Sequence, residues 1–306
     1  MAINRLTFKA TLAQVSVPAT SANLGPGFDC LGLALEMRDR YAAQVLDDPI
    51  FDVDLSGEGA SELKKDKNHL VIKSMLRGFE HMGQKPRGIA LRALNVTPHG
   101  RGLGSSSSAI VGGLALARSL VHGGEALLSD EDMVALATEL EGHPDNVAAA
   151  VLGGATIAWL ENGVGKAVNI PVHETIKALA FIPSSTLATS KARKILPESV
   201  PHSAAAANAG KAALLVHALS HRPDLLFTAT HDEIHQQYRA SAMPKSLELV
   251  DRLRAAGVAA LVSGAGPTVL VLHTSSEIEL EEMTRAAGEE FVSMPLEISR
   301  KGYLQA

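Results

Sequence analysis

The sequence of 306 residues has few of the features that define several protein classes. It contains a single cysteine, Cys30, which excludes an internal disulfide framework and a cysteine-based zinc site. No apolar run reaches the roughly 20 residues that a membrane-spanning helix requires. The opening sequence, MAINR, also lacks the apolar stretch of a signal peptide. We therefore expect a cytoplasmic protein.

Aromatic residues and basic clusters are also scarce. Only 4% of the residues are aromatic, so the core must be built mainly from Ala, Leu, Val and Ile. The 28 basic and 33 acidic residues give a formal net charge of −5, and the chain has no block of Lys and Arg. A mildly acidic chain of this kind argues against nucleic acid or an anionic membrane as the main partner. Its length is sufficient for one large domain or two fused ones.

Residues 98–112 form the most informative segment, with the sequence PHGRGLGSSSSAIVG. A strand-like run, 89–96, precedes it, and an Ala/Leu-rich run that reads as a helix, 109–120, follows it. A helix N-terminus preceded by glycines attracts phosphate, because its free N–H groups and its dipole favour anions and glycine permits close approach of the backbone. The alternative is a glycine-rich turn with a serine N-cap. Four consecutive serines, which are poor helix formers, exceed what a cap needs and favour phosphate binding.

This segment matches neither of two familiar motifs. A Walker A motif requires a lysine that is missing here, and the G-x-S-x-G pattern of a nucleophile elbow does not occur in it. We call residues 98–107 the phosphate loop. Its candidate binding residues are Pro98, Gly100, Arg101, Gly102, Leu103, Gly104, Ser105, Ser106 and Ser107.

The hydrophobic pattern predicts strands and helices in a mixed order. Strands are predicted at 7–17, 31–37, 41–46, 51–55, 89–96, 156–160, 167–170, 178–182, 258–263, 268–273 and 290–298. Helices are predicted at 68–81, 109–120, 129–141, 203–219, 225–239, 244–256 and 277–287. No G-x-G-x-x-G follows the first strand, so the fingerprint of a dinucleotide-binding fold is missing. We expect an α+β fold of two lobes, 1–165 with the phosphate loop and 166–306 completing the substrate site.

Several other polar segments have a composition suited to a ligand. They are PATSANLGPGFD at 18–29, EGHPDN at 141–146, TSKARKILP at 189–197, HQQYR at 235–239 and SGAGPT at 263–268. The first is predicted to be a structured loop, because Pro, Gly and Asn are concentrated in it. The glycines of the last segment suit either a tight hairpin turn or a close approach to the phosphate loop.

Together these segments closely resemble the GHMP kinases, the family of galacto-, homoserine, mevalonate and phosphomevalonate kinases. The phosphate loop follows that family's P-x-x-x-G-L-G-S-S-A pattern from Pro98 to Ser106, with Ser107 where alanine is usual. The similarity extends over nearly the whole chain, and it is greatest to the members that phosphorylate L-homoserine. Another departure is Cys30, where serine is usual; we read it as a packing residue.

The resemblance implies a GHMP kinase-like fold of two lobes, with mixed sheets and packed helices, and an activity. That activity is ATP-dependent phosphorylation of the side-chain hydroxyl of L-homoserine to O-phospho-L-homoserine, in threonine biosynthesis. Phosphoryl transfer requires in-line positioning, Mg²⁺ and charge neutralisation. By resemblance, Ser106 and a helix glutamate hold Mg²⁺. We choose Glu141 and keep Glu139 as the alternative, since the two face different sides of a helix. Asn68 is the candidate for the adenine pocket.

The substrate residues also come from the resemblance. A guanidinium binds a carboxylate bidentately, which suits Arg193 and Arg239 to the substrate carboxylate. The other candidates are Asp29 for the ammonium group, and Asn23, Thr189 and Asn146 for the hydroxyl and the amino-acid backbone.

No general base is predicted. In the members that phosphorylate L-homoserine, an asparagine replaces the aspartate found in some relatives, and Asn146 matches it. We expect Asp145 to face away and His143 to be structural. The proton would then pass to a γ-phosphate oxygen, with Asn146, Glu141 and Arg193 as the catalytic residues.

Two other functions are considered. One is a GHMP kinase for another small alcohol, such as a mevalonate-type acceptor, although Asp29 favours an amino acid. The other is a catalytically inactive relative that binds a ligand, although the phosphate loop and Glu141 are present. The expected partners are L-homoserine and ATP, with neither nucleic acid nor membrane. The sequence leaves the oligomeric state open, with a homodimer as one assembly to consider.

Overall fold

The computed structural model describes residues 8–274 and 276–305. The strands are β1 (Ala13–Ala22), β2 (Leu31–Leu46), β3 (Phe51–Gly57), β4 (Gly88–Asn95), β5 (Ala155–Glu161), β6 (Val164–Ile170), β7 (Lys177–Pro183), β8 (Ala260–Val262), β9 (Val269–His273), β10 (Phe291–Leu296) and β11 (Leu304–Gln305). The helices are α1 (Leu70–His81), α2 (Ser105–Leu120), α3 (Gly124–Leu127), α4 (Asp130–Glu141), α5 (Asp145–Leu152), α6 (Thr189–Lys194), α7 (His202–Ser220), α8 (Leu226–Ala229), α9 (Pro244–Ala255) and α10 (Glu277–Ala287). Short 3₁₀ turns lie at Pro223–Leu225 and Gln237–Ala242.

The long strand β2 organises the first sheet. It pairs with β1 along most of its length, with β5 near its start and with β4 near its end. Strand β3 runs parallel to β4, whereas the other pairs are antiparallel. Strand β11 joins β1, and β6 joins β5. Helices α1, α2 and α4 pack on this sheet through one apolar cluster that contains Phe79, Leu114 and Met133.

The second sheet is antiparallel, in the order β10–β7–β9–β8. Because side chains alternate along a strand, its two faces belong to different apolar clusters. Ala178 and Ala180 of β7 pack in a cluster with β1, β2 and α7. Leu179 and Phe181 of the same strand face a cluster with α9. The second sheet is therefore buried on both faces, and one of those faces holds the two sheets together.

The predicted α+β class, with mixed sheets and packed helices, is confirmed, and most predicted elements lie within a few residues of the observed ones. The strand predicted at 7–17 is shifted, and residue 7 lies outside the described residues. Strand β1 extends to Ala22, so the loop predicted from 18 begins only at 23. Pro18 fits in the strand because the register shifts between Pro18 and Ala19.

Four other predictions differ from the structure. The strands predicted at 31–37 and 41–46 are one strand, and the polar segment at 189–196 contains helix α6. Helix α2 begins at Ser105, so all four serines lie in its first turn. The helix predicted at 225–239 is wrong. Its first part ends at Ala229, and the Asp232 carboxylate then accepts bonds from the backbone N–H groups of 234, 235 and 236. Such a side-chain bond competes with helix continuation.

The predicted lobe boundary at 165 falls inside β6, which pairs with β5 along its whole length. The C-terminal strand β11 also returns to the first sheet, beside β1. The division into two sheets therefore does not coincide with a single cut of the chain. No helix among the described residues is long and apolar enough to cross a membrane.

Candidate active site

A cleft of about 250 Å³ is formed by segments from both sheets. The predicted site residues in its wall are Asn23, Gly100, Gly102, Gly104, Ser105, Ser106, Glu141, Asn146, Thr189, Arg193 and Arg239. The predicted residues outside its wall are Pro98, Arg101, Leu103, Ser107 and Asp29, and Asn68 lines a neighbouring cavity. The fold thus brings most of the candidates, which are spread over more than 200 positions of the chain, into one place.

The phosphate loop reaches the cleft through its backbone. Gly100, Gly102 and Gly104 have φ angles of 66°, 74° and 72°, in the left-handed region that favours glycine. Gly104 is the N-cap of α2, a helix of 16 residues. The N–H groups of the first helical turn have no intrahelical partners, so this end of the cleft can bind an anion.

The side chains of Arg101 and Leu103 do not line the cleft, and their part in nucleotide binding stays a prediction. Arg101 donates to the carbonyls of His99, Pro183 and Ser184, at 3.0 Å each. Leu103 is buried in the apolar cluster between the sheets. Their contribution to the loop is therefore structural, through contacts that fix the backbone.

The 263–268 turn packs directly on the phosphate loop. Ser263 Oγ donates to the Gly102 carbonyl at 2.6 Å, and the Thr268 N–H donates to the Arg101 carbonyl at 3.3 Å. A Cβ atom on Gly102 would overlap the Ser263 carbonyl oxygen. Both roles considered for the glycines of this turn are supported, because the turn joins the hairpin strands β8 and β9 and a Cβ on Gly264 would lie 3.3 Å from the Gly102 carbonyl oxygen.

Glu141 and Glu139 have different surroundings. Glu141 Oε1 accepts from Ser106 Oγ at 2.6 Å and from Ser107 Oγ at 3.2 Å. Glu139 instead forms two bonds with Arg77, at 3.2 and 3.0 Å, on an exposed surface. A hydroxyl and a carboxylate side by side are the oxygen donors that a hard cation prefers. Groups of three or more His, Cys, Asp and Glu side chains that suit a metal ion do not occur among the described residues.

Asn146 is the second residue of α5. Its Oδ1 accepts from Thr20 Oγ1 at 2.8 Å, and its N–H donates to Asp145 Oδ1 at 2.7 Å. His143 Nδ1 also lies 3.0 Å from that Asp145 oxygen. Burial opposes protonation of His143, but the hydrogen bond and charge of Asp145 outweigh it and raise the pKa of His143 above its usual value.

The expectation that Asp145 faces away is wrong, because both Asp145 and His143 line the cleft. The sequence had suggested a structural role for His143 and an outward orientation for Asp145. The signal that could have identified them is their position between two predicted ligand residues, Glu141 and Asn146.

Asp29 and Arg193 form an ion pair, with oxygen–nitrogen distances of 2.6 and 2.9 Å. Each side chain keeps about a third of its surface exposed. Asp29 and Asn23 both adopt left-handed backbone angles, at φ 56° and 67°. Such conformations are uncommon outside glycine and are held only where the surroundings determine them.

Asn23 has a structural role that its sequence assignment missed. Its Oδ1 accepts from the Asp29 N–H at 3.0 Å, and its Nδ2 donates to the Gly264 carbonyl at 2.8 Å. The side chain thus connects the Asp29 loop to the second sheet. Asn23 lines the cleft, and both ends of its amide are bonded within the protein; its role as a substrate ligand stays a prediction.

Arg239 lies deeper, with 1% of its surface exposed. Its Nε donates to the Ala192 carbonyl at 3.1 Å, and its Nη1 lies 3.0 Å from His235 Nδ1. Burial, reinforced by the charge of Arg193, lowers the pKa of Arg239 to about 10. The ring of Phe28 is near both guanidinium groups, with its centroid 5.7 Å from the Arg193 Cζ and 5.6 Å from the Arg239 Cζ. Phe28 was not among the predicted residues, although the 18–29 segment contains it.

Thr189 opens α6 and is exposed at the mouth of the cleft. Asn68 lies across the phosphate loop, in a second cavity of about 310 Å³. Its side chain contacts Asp66, and the neighbouring His69 is buried with no hydrogen-bond partner for Nδ1 among the described residues. Ser105 and Ser106 line both cavities, so the two spaces meet at the start of α2.

Comparison with known proteins agrees with this geometry. The pattern described as the GHMP kinases N terminal domain matches residues 69–154, and that described as GHMP kinases C terminal matches residues 211–292. The chain is 48% identical to the homoserine kinase of Streptomyces avermitilis over 295 residues, 96% of each chain. It is 49% identical to that of Clavibacter michiganensis over 278 residues, 89% of this chain and 88% of that protein.

A solved structure shows the same relationship in three dimensions. The crystal structure of homoserine kinase from Cytophaga hutchinsonii superposes with a TM-score of 0.83 at 26% identity, covering 97% of this chain and 98% of that one. The similarity therefore includes both sheets and the cleft between them, and it confirms the family predicted from the motifs. The chain belongs to the GHMP kinase family and, within it, to the homoserine kinases.

Proposed function

We propose that this chain transfers the γ-phosphoryl group of ATP to the side-chain hydroxyl of L-homoserine, giving O-phospho-L-homoserine for threonine biosynthesis in the cytoplasm. The observation that supports this best is the make-up of the cleft. One end has a helix N-terminus with a hydroxyl–carboxylate pair, and the other has two arginines, one of them paired with Asp29 just outside the wall. Such a cleft suits a polyphosphate at one end and an amino acid at the other.

The nucleotide would bind across the start of α2. The phosphate loop presents backbone N–H groups to its phosphates, and the cavity beside Asn68 has room for the nucleoside. Ser105 and Ser106 border both spaces, so a single ligand could occupy the two together. In this arrangement Asn68 remains the candidate for the adenine side.

A divalent cation fits beside these phosphates. Ser106 Oγ and Glu141 Oε1, 2.6 Å apart, offer two of the few protein oxygens that Mg²⁺ requires. When bound, Mg²⁺ would neutralise charge on the β- and γ-phosphates. Glu139 is less suitable, because Arg77 already neutralises its carboxylate.

The amino acid would bind at the other end of the cleft. The carboxylate would meet Arg193 and Arg239, and the ammonium group would meet Asp29. Asp29 and Arg193 neutralise each other at present, so binding requires their ion pair to open. Asn23, Thr189 and Asn146 line the space between, where the hydroxyl and the amino-acid backbone would lie.

The hydroxyl proton would pass to a γ-phosphate oxygen without a dedicated base. Asn146 cannot accept a proton at neutral pH, and the Asp145 oxygen nearest to it already accepts two hydrogen bonds. Arg193 would neutralise charge near the reacting groups. Asp145→Asn tests this, since the amide oxygen still accepts those bonds. If kcat falls by most of its value while the KM for L-homoserine is unchanged, Asp145 is the base and this step is refuted.

The function itself is tested by ADP release from Mg-ATP. The acceptors are L-homoserine, D-homoserine, L-serine, mevalonate and galactose, each supplied alone. Turnover restricted to L-homoserine supports the proposal. Turnover with mevalonate or galactose instead would agree with the proposed nucleotide site at the phosphate end but would refute the roles of Asp29, Arg193 and Arg239. ATP binding without turnover of any acceptor would indicate a ligand-binding relative that is not a kinase.

A further inference from the structure

We propose that His235 is a positioning residue that fixes the Arg239 guanidinium in its substrate-facing orientation. The proposal deepens the proposed function, because it concerns how the amino-acid end recognises a carboxylate. It starts from an observation that this function leaves unexplained: a fully buried histidine stands next to a nearly fully buried arginine.

The hydrogen bond between the two residues determines the state of the imidazole. Arginine has only donors, so the Nη1–Nδ1 contact of 3.0 Å requires an unprotonated Nδ1. The single proton of the neutral ring must then lie on Nε2, which is 2.8 Å from the Gly25 carbonyl. His235 is thus a neutral Nε2–H tautomer that accepts from Arg239 and donates to the Asp29 loop.

The ring itself is held from several sides. Asp232 accepts the N–H groups of 235 and 236, at 3.2 and 2.8 Å, and its Oδ1 lies 3.4 Å from His235 Nε2. The ring of Phe28 packs on the imidazole with centroids 5.1 Å apart. The charged groups around the ring are Asp232 and Arg239 of its own segment and Asp29 of the loop before β2. Burial lowers the pKa of His235, in agreement with a neutral ring.

One nitrogen of Arg239 is left for a ligand. Nε and Nη1 are used by Ala192 and His235, whereas Nη2 has no bonded partner among the described residues. Arg239 lines the cleft, so Nη2 is the donor available to a carboxylate. Without the acceptor at Nδ1, the planar guanidinium would be held only through Nε, so it could tilt about the side-chain bonds before Nε and Nη2 would no longer be fixed.

Steady-state kinetics of two substitutions at this position test the proposal. His235→Leu removes the acceptor, and we expect the KM for L-homoserine to rise about tenfold, as for the loss of one charge-assisted bond. The KM for ATP and kcat should change less than about twofold, because the phosphate end is untouched. His235→Asn restores an acceptor near Nδ1 and should recover most of the affinity. His221→Leu, the same change at an exposed histidine, should alter neither KM.

The outcomes separate clearly. An unchanged KM for L-homoserine in His235→Leu, equal increases in both KM values, or an Asn variant that behaves like Leu would each overturn the proposal. KM values do not depend on the folded fraction, so partial misfolding does not obscure the result.

A spectroscopic test is independent of turnover. Two-bond ¹H–¹⁵N correlations on the full-length chain, assigned by comparison with His235→Asn, should show His235 as the neutral Nε2–H tautomer at neutral pH. A charged ring or an Nδ1–H tautomer would refute the proposal even if the kinase activity is confirmed. Conversely, His235 could show the expected tautomer in a chain that does not phosphorylate L-homoserine. That result would refute the proposed function and leave the His235–Arg239 contact unaffected.

Discussion

At the phosphate end of the cleft the ligand-facing groups are mainly backbone N–H groups, whereas at the amino-acid end they are charged side chains. The first end depends on glycines with left-handed backbone angles, and at Gly102 and Gly104 the packing also leaves no room for a Cβ atom. The second depends on contacts between residues distant in the chain, such as Asp29 with Arg193, 164 positions apart. A backbone site is therefore sensitive to local shape, and a side-chain site is sensitive to charge.

The largest effect is expected for the carboxylate of the phosphate end. Glu141→Gln removes the charge beside Ser106, and kcat/KM for Mg-ATP should fall roughly 10²–10³-fold, as for the loss of one group that neutralises transition-state charge. Glu139→Gln is the matched control, two residues away, exposed and paired with half-buried Arg77. Its kcat/KM should stay within about twofold, since exposed ion pairs contribute little. Equal losses in the two variants would contradict the assignment of Glu141.

Next in size is the effect of a methyl group in the phosphate loop. Gly102→Ala places a Cβ against the Ser263 carbonyl at a φ of 74°. Gly123→Ala has a φ of 72° and open space, so it should cost only about 1 kcal/mol of unfolding free energy from backbone strain. Gly102→Ala should cost about 2 kcal/mol more, through overpacking, and should also lower kcat. Urea unfolding and kinetics on both variants measure this difference; equal unfolding free energies would show that the loop and the turn separate at no cost.

A smaller effect, on substrate affinity alone, is expected at the amino-acid end. Asp29→Asn should raise the KM for L-homoserine about tenfold by removing the partner of its ammonium group. The KM for ATP should be unchanged. Asp224→Asn is the control, because Asp224 forms a similar forked pair with Arg222 on an exposed surface. If the KM for ATP rises as much as the KM for L-homoserine, the two ends are not independent.

The smallest effect on activity is expected for substitution of Cys30, which lies outside the cleft wall. Burial, and then the charges of Asp145 and Asp29, raise the pKa of its thiol from 9.0 to about 11. At pH 8 the thiolate fraction should be about a hundredfold below that of an unperturbed thiol, so alkylation by iodoacetamide should be correspondingly slow. Cys30→Ser should keep kcat within about twofold. Rapid alkylation with loss of activity would place the thiol nearer the ligand than the structure does.

The sequence predicted the backbone end better than the side-chain end. The order of strands and helices, the α+β class and the phosphate loop follow from local patterns of glycine, serine and apolar residues. The start of α2 at Ser105 was missed, because the interactions that hold four serines in a helical turn come from Glu141 and the preceding loop. The break after Ala229 was also missed, since it depends on where the Asp232 carboxylate points.

The residues of the side-chain end could be identified from motifs, but the contacts between them could not be predicted. Asp29, Arg193 and Arg239 were each predicted as ligands, yet no local pattern shows that two of them neutralise each other. Nor does a pattern show that the third is nearly fully buried beside His235. The same limit applies to Asn23, whose amide connects two sheets over 241 positions of the chain. Contacts of this kind depend on the tertiary fold.

The Asp29–Arg193 ion pair has a consequence for which molecules the open cleft admits. Each partner already has its counter-ion, so a simple carboxylate or a simple amine that enters must separate the pair and leaves one member without a counter-ion. A zwitterion supplies a counter-ion to both, so neither Asp29 nor Arg193 is left unpaired when their own pair opens. The ion pair therefore disfavours singly charged competitors in the free protein, before any ligand binds. Its two charges imitate those of the doubly charged ligand.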